Sequence, residues 1–215
     1  MYNLMKNILI IIAMDNEANE TLKDLKLVKS FPFLTYEGEI KNKKISLIIS
    51  KVGKTNASSA TTYGLINYPK TDLIINFGIT GGYKVDLNKV YLIKDSLYDD
   101  VDATYFNYEF GQVPGFPKSY QSFINENINR LNYPLINLYT KDTFTTKNNY
   151  DFPYLVDMEG AAIYQVSYLF KKPVLSFKLV SDLIGDKNQK EHYEKSTINM
   201  PNILKTNLLK ILEVL

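Results

Sequence analysis

The chain has 215 residues, a formal net charge of +2, no cysteine and a single histidine, His192. That length suits one α/β domain with a sizeable core, while the missing cysteines exclude a disulfide framework and thiolate chemistry, and one histidine makes a zinc site improbable. The small net charge implies no nucleic-acid surface, and the only lysine run, residues 41–44 broken by Asn42, reads as a solvated hairpin turn.

Residues 7–13 are apolar but shorter than a signal core, and Asp15 and Glu17 stand where a small-residue cleavage site would be. Residues 6–14 are therefore expected to form a buried strand. No stretch approaches the roughly 20 apolar residues of a membrane span, so a soluble protein of the reducing cytoplasm is expected. Residues 16–27 have helical spacing with acids in the opening turn, and Glu17 lies where strand and helix meet. Residues 33–40 and 44–52 flank the polar turn 41–43 and predict a hairpin. Gly53 allows a tight turn before residues 55–68, a helix rich in Ala, Ser and Thr that can pack close to a sheet. Residues 72–77 read as a further core strand running into Gly78-Ile79-Thr80-Gly81-Gly82. Those glycines lack the spacing of a dinucleotide or P-loop fingerprint, so the better reading is close approach of the backbone to something planar or to another chain.

Residues 90–97 predict another strand. Residues 98–117 then interleave tyrosines and phenylalanines with acids, glycines and prolines, a length of loop that is usually functional. Aromatics this dense point to a binding or subunit-interface role rather than a mobile excursion. A helix over 118–131, a strand over 134–139 and a polar loop over 140–149 carrying Phe144 follow. Tyr154, Leu155 and Val156 read as a buried strand ending at Glu159, and apolar spacing predicts a helix from there to Lys171. Residues 173–180 look like a central strand that stops at Ser181-Asp182, and a helix over 198–214 closes the chain. The alternation predicts a single-domain, three-layer α/β sandwich over 1–215, its twisted, mostly parallel but mixed sheet flanked by helices, without internal repeat or linker.

Glu17, Glu159 and Asp182 each follow an apolar run closely, so in a parallel sheet all three can gather at one edge, where open α/β sheets bind ligands. An acid in such a place either hydrogen-bonds a polyhydroxylated ligand or merely complements a helix N-terminus. Acid pairs of this sort can cleave glycosidic bonds, one protonating the leaving group while the other activates water.

At these residues the chain resembles the 5′-methylthioadenosine/S-adenosylhomocysteine nucleosidases of the nucleoside phosphorylase superfamily. The resemblance runs nearly end to end, through Ala13-Met14-Asp15-Asn16-Glu17, Val52-Gly53-Lys54, Gly78-Ile79-Thr80-Gly81-Gly82, Tyr108-Glu109-Phe110-Gly111-Gln112-Val113-Pro114-Gly115, Asp142-Thr143-Phe144, Met158-Glu159-Gly160-Ala161-Ala162 and Ser181-Asp182. It implies hydrolysis of the adenine–ribose bond of thio-substituted adenosines without metal or organic cofactor. It further implies that Glu17 activates water, that Glu159 and the Met158 backbone hold the ribose, and that Asp182, helped by Ser181, protonates the purine. Phe144 would stack on adenine, with Thr145 and Gly81 close to base and sugar. Met14 and Val52 would line the tail pocket, which Phe106, Tyr108 and Pro114 would complete across a homodimer.

Two positions depart from the family pattern. Ile79 stands where serine is common, and Lys178 where arginine is common; both family residues help to hold the attacking water. A phosphorylase of the same fold is the alternative, although such enzymes grip phosphate with arginines and this chain has only Arg130. A non-catalytic nucleoside-binding protein is a third reading, motivated by Ile79.

Overall fold

The computed structural model describes residues 5–215, so the first four positions of the expected domain lie outside the described residues. The chain runs β1 (Asn7–Ile12), α1 (Asp15–Leu22), β2 (Lys26–Lys29), β3 (Thr35–Ile40), β4 (Lys43–Ile49), α2 (Lys54–Asn67), β5 (Leu73–Tyr83), β6 (Val90–Tyr98), a 3-10 turn at Thr104–Phe106, β7 (Tyr120–Gln121), α3 (Glu126–Asn129), β8 (Leu135–Thr140), β9 (Tyr154–Asp157), α4 (Gly160–Leu169), β10 (Val174–Leu183), α5 (Gln189–Ser196) and α6 (Met200–Val214).

Strand β1 is apolar on both faces, as a strand covered by helices on each side must be. Ile8, Ile10 and Ile12 pack with Ala18 of α1, Ile128 of α3 and Met200, Leu204, Leu208, Ile211 and Leu212 of α6. Leu9 and Ile11 pack on the opposite face with Ala57, Ala60 and Leu65 of α2 and Ala161, Ala162 and Ile163 of α4. The small residues of α2 matter here: a Cβ on Gly64 would sit 2.8 Å from Leu9 Cδ2, so the helix can lie this close only with glycine at that position.

The sheet is mixed. Parallel pairings join β1 to β4 and β5, β5 to β10, and β8 to β6 and β9, while β2–β3, β3–β4, β5–β9, β6–β7 and β6–β10 are antiparallel. Strands β5, β10, β6, β8 and β9 close on one another as a ring, and β1, β4, β3 and β2 extend the sheet outward from β5. Strand β5 changes partner along one edge. Its pairing with β1 ends at Asn76 opposite Ile11, and its pairing with β9 begins at Gly81 opposite Val156. The backbone of residues 77–80 therefore faces a gap on that edge, and the site lies there.

Several expectations are corrected. The helix expected over 118–131 is instead β7, an extended stretch and one helical turn, because Tyr120 and Gln121 pair with Ser96 and Asp95 and the Phe123 N–H donates to Val174 O. The first helix stops at Leu22 rather than Leu27, and the chain returns as the exposed edge strand β2, whose lysines suit an unpaired edge. The strand expected over 72–77 continues through the glycine run Gly78–Gly82 to Tyr83 as β5. Strand β10 does not stop before Ser181-Asp182; it continues to Leu183 through a bulge in which Val180 pairs with Thr80 and Asp182 with Gly81, leaving Ser181 extra. Bulges of this kind re-aim side chains next to functional sites. Helix α5 was not expected at all.

Candidate active site

The floor of the gap is acidic. Glu17, in the first turn of α1 and 3% exposed, accepts the Ile79 N–H at Oε1 (2.8 Å) and the Met14 N–H at Oε2 (3.0 Å). The close approach expected at the glycines is therefore intramolecular, and the planar group is this carboxylate: a Cβ on Gly78 would lie 2.6 Å from Glu17 Oε1. Burial raises the Glu17 carboxyl above its ordinary range, opposed by the Ile79 N–H, the Lys178 charge and the Met14 N–H.

Glu159 immediately precedes α4, and its Oε1 accepts the Gly53 N–H at 2.8 Å, tying the loop before α2 to the strand-to-helix corner. Burial, followed by the charge of Asp157, pushes its carboxyl up to about 7 against the pull of Lys178 and the Gly53 N–H. The helix itself is capped by Asp157 at the end of β9, whose two oxygens accept the Gly160 N–H at 3.1 and 3.0 Å and whose Oδ1 accepts from Thr140 Oγ1 at 2.6 Å. Asp157 Oδ2 lies 2.9 Å from Lys178 Nζ, with both side chains almost entirely buried. Burial alone would lower the Lys178 ammonium, but Asp157, Glu159 and Glu17 around it hold it above its ordinary value.

On β10, Asp182 Oδ1 accepts from Ser181 Oγ at 2.7 Å and Oδ2 accepts from Gln189 Nε2 at 2.7 Å. The bulge sets this carboxylate against Gly81, where a Cβ would lie 3.2 Å from Oδ2. A cleft of about 120 Å³ joins these elements; its walls include Met14, Val52, Ile79, Gly81, Phe144, Met158, Glu159, Ser181 and Asp182. A smaller recess of about 40 Å³ continues past Gly81 to Thr145. Glu17 lies under this lining, bonded to the backbone of Met14 and Ile79. Phe144 stands half exposed at the mouth, edge-on to Tyr193 with ring centroids 6.1 Å apart.

The sequence-predicted residues thus meet, with one group apart. Phe106, Tyr108 and Pro114 do not line the cleft of their own chain; Phe106 is 69% and Tyr105 89% exposed. Three neighbours were missed: Asp157, Gln189 and Tyr193. A lysine in the middle of the apolar run Val174–Leu183 was a usable signal for the first, because a buried ammonium needs a buried acid and Val156-Asp157-Met158-Glu159 offers one. The departures at residues 79 and 178 also read differently in three dimensions. Ile79 serves Glu17 through its backbone N–H, and Lys178 is engaged by Asp157.

The family model described as "Phosphorylase superfamily" matches residues 7–137 and 149–213. A 5′-methylthioadenosine/S-adenosylhomocysteine nucleosidase of Buchnera aphidicola subsp. Schizaphis graminum is 32% identical over 213 residues, 90% of this chain and 88% of the relative. The chain belongs to this nucleosidase family, whose members are hydrolases acting on N-glycosyl compounds. Solved nucleosidases agree in fold. That of Neisseria meningitidis, in complex with methylthio-immucillin-A, superposes with a TM-score of 0.86 at 25% identity over 98% of this chain and 100% of that one. That of Colwellia psychrerythraea 34H, in complex with adenine, gives 0.88 at 25% identity over 100% and 98%.

Proposed function

We propose that the protein hydrolyses the N-glycosidic bond of 5′-methylthioadenosine and S-adenosylhomocysteine, releasing adenine and the 5′-thioribose product through a ribosyl-cation-like transition state. The observation that carries this reading is the convergence of Glu17, Glu159 and Asp182 on one cleft, each carboxylate held by donors from a different part of the chain. In this reading Glu17 takes the proton of the attacking water. Glu159 and the Met158 backbone hold the ribose hydroxyls, and Asp182 delivers a proton to the purine as the bond to the sugar breaks. Adenine is a poor leaving group until it is protonated, so the acid is as necessary as the base. Phe144 stacks on the base, with the Thr145 backbone and Gly81 against base and sugar.

The electrostatics favour the same chemistry. Lys178 lies among Glu17, Asp157 and Glu159, so with Glu17 and Glu159 ionised the pocket is acidic on balance, and in a shielded site such charge stabilises an emerging ribosyl cation. The tail end is completed by a second copy. Met14 and Val52 line it from one protomer, and Phe106, Tyr108 and Pro114 of the partner subunit close it, which gives the exposed aromatic loop a reason to be apolar. The lack of cysteine fits a reducing cytoplasm.

Incubation of the purified protein with methylthioadenosine, with and without phosphate, tests the reading. Adenine released without phosphate is expected. Release that requires phosphate would replace hydrolysis by phosphorolysis, and no release under either condition would refute both.

A further inference from the structure

The segment between β8 and β9, residues 141–153, contains no helix or strand, yet it carries Phe144 to the cleft and Thr145 to its recess. What ties it down lies outside both. Asp99, the residue after β6, has a side chain with no exposed surface. Its Oδ2 accepts from Lys141 Nζ at 2.8 Å and from Asn149 Nδ2 at 2.9 Å, and its Oδ1 accepts from Tyr150 OH at 2.6 Å. Its own N–H donates to Thr140 O at 2.9 Å, which seats it against the end of β8. Lys141 stands on the outgoing limb of the loop, and Asn149 and Tyr150 stand on the returning limb. One buried carboxylate at the end of a third strand therefore closes the neck of the loop from both sides. The outgoing limb has further backbone ties, Lys141 N–H to Asp157 O at 3.1 Å and Asp142 N–H to Asp100 Oδ2 at 3.0 Å. On the returning limb the Tyr150 ring packs on Tyr139 and Tyr154, with centroids 4.9 and 5.3 Å away. Ring contacts tolerate sliding, whereas hydrogen bonds to a buried carboxylate are directional and fix a position.

We propose that Asp99 is a positioning residue for base binding, which joins the two limbs of this loop and so holds Phe144 and Thr145 at the wall of the cleft. The role rests on the nucleosidase reading, in which Phe144 and Thr145 receive the base. An ionised carboxylate suits the place because it only accepts, and three donors converge on it. An asparagine there would turn an NH2 group toward one of those donors and leave the Lys141 ammonium without its counter-charge. With the neck open, the stretch between the limbs spends part of its time away from the cleft. Apparent affinity for the base then falls by the fraction of time the loop is in place. Glu17 and Asp182 stand on other elements, α1 and β10, so substrate that does bind still meets both acids.

Steady-state kinetics with methylthioadenosine and calorimetric binding of adenine compare the unaltered protein with Asp99→Asn and Tyr150→Phe. Asp99→Asn is expected to raise KM and the adenine Kd about tenfold with kcat kept within about threefold, and Tyr150→Phe to raise both constants about threefold. Adding Tyr150→Phe to Asp99→Asn should raise KM no further, because the two changes break one contact. Tyr150→Phe keeps the ring and removes a single oxygen, so it decides the matter should Asp99→Asn fail to fold. A lower thermal midpoint with KM unchanged, or a fall in kcat alone, overturns the proposal. A second readout needs no turnover. The chain has no tryptophan, so Phe144→Trp places a single fluorophore on the loop. Its anisotropy decay in the free protein should show faster local motion when Asp99→Asn or Tyr150→Phe is added, and unchanged local motion overturns the role of Asp99. If the unaltered protein neither binds adenine nor releases it from methylthioadenosine, the nucleosidase reading falls and takes the base-binding purpose of the loop with it. The fluorescence comparison then still decides whether Asp99 holds the loop.

Discussion

The two ends of the cleft are built in opposite ways. At the acid end, Glu17, Asp157, Lys178 and Asp182 are buried, and every carboxylate accepts hydrogen bonds from named donors before any ligand arrives. At the open end, Phe144 and Val52 are exposed, and Phe106, on an exposed loop, is not part of the lining of its own cleft. Groups that must act at a fixed distance are locked by the sheet, since a small misplacement of a reacting group is expensive. In the proposed reading, groups that only enclose an apolar tail are left to a second copy and to the substrate itself.

The largest effects are therefore expected at the acid end. Asp182→Asn removes the proposed proton donor while keeping the shape, so kcat should fall by on the order of a thousandfold with nucleoside affinity kept within about tenfold; rapid-quench turnover and equilibrium binding measure the two separately. Glu17→Gln should behave alike, and a near-normal rate in either would take that residue out of the chemistry. Next comes Gly78→Ala, whose new methyl group would press on a carboxylate oxygen 2.6 Å away. Displacing the base should lower kcat by about a hundredfold while the fold persists. An unaffected rate would mean that the position of Glu17 is not critical.

Lys178→Met strands Asp157 and its neighbours without their cation and should cost about 3 to 5 kcal/mol in denaturant unfolding. Adding Asp157→Asn to that variant should recover part of the loss, and additivity of the two changes would argue against the pair. If the proposed shared pocket holds, Phe106→Ala should raise KM for methylthioadenosine about ten- to a hundredfold and leave adenosine nearly untouched, the lost contact being worth about 1.5 to 3 kcal/mol. A fully active monomer in sedimentation at assay concentration would end the shared-pocket idea.

The smallest effect is a slope. Because Glu159 is held near 7 when folded against an ordinary value of 4.5, the native state carries more proton than the unfolded chain between those values. Stability of the free protein should fall as pH rises through that window, and Glu17, raised by burial, acts in the same direction. Thermal midpoints across the window should show the slope, and Glu159→Gln should flatten it.

Much of this was legible in the sequence, for identifiable reasons. The apolar runs of β1, β5 and β10 and the small face of α2 carry strong local patterns, and the three acids stand next to them. Partner exchange is what local pattern cannot show. Nothing in Gly78-Ile79-Thr80-Gly81-Gly82 reveals that β5 leaves β1 and takes up β9, so the strand was expected to end at residue 77. The bulge at Ser181 is likewise a property of the β5–β10 register rather than of the β10 residues. Residues 118–131 were expected to be helical, but Tyr120 and Gln121 pair with the edge of β6, a long-range contact that local sequence does not show. Gln189 and Tyr193 sit on a short polar helix with little hydrophobic periodicity, so nothing marked α5 or its approach to Asp182.

One consequence follows from the Ile79 N–H that Glu17 accepts. Between Asn76 and Gly81 the β5 edge has no neighbouring strand, and the Glu17 carboxylate fills the position that a neighbouring strand's carbonyl would otherwise take. The proposed base is thus a rung of the ladder. Turning it aside would leave a strand N–H unpaired at a part-buried position, a loss of about 1 kcal/mol, so its resting position is favoured by the same inventory of donors and acceptors that holds the sheet together. Such a group returns to one place after each proton it takes, and its aim is maintained by the architecture instead of being recreated by the substrate.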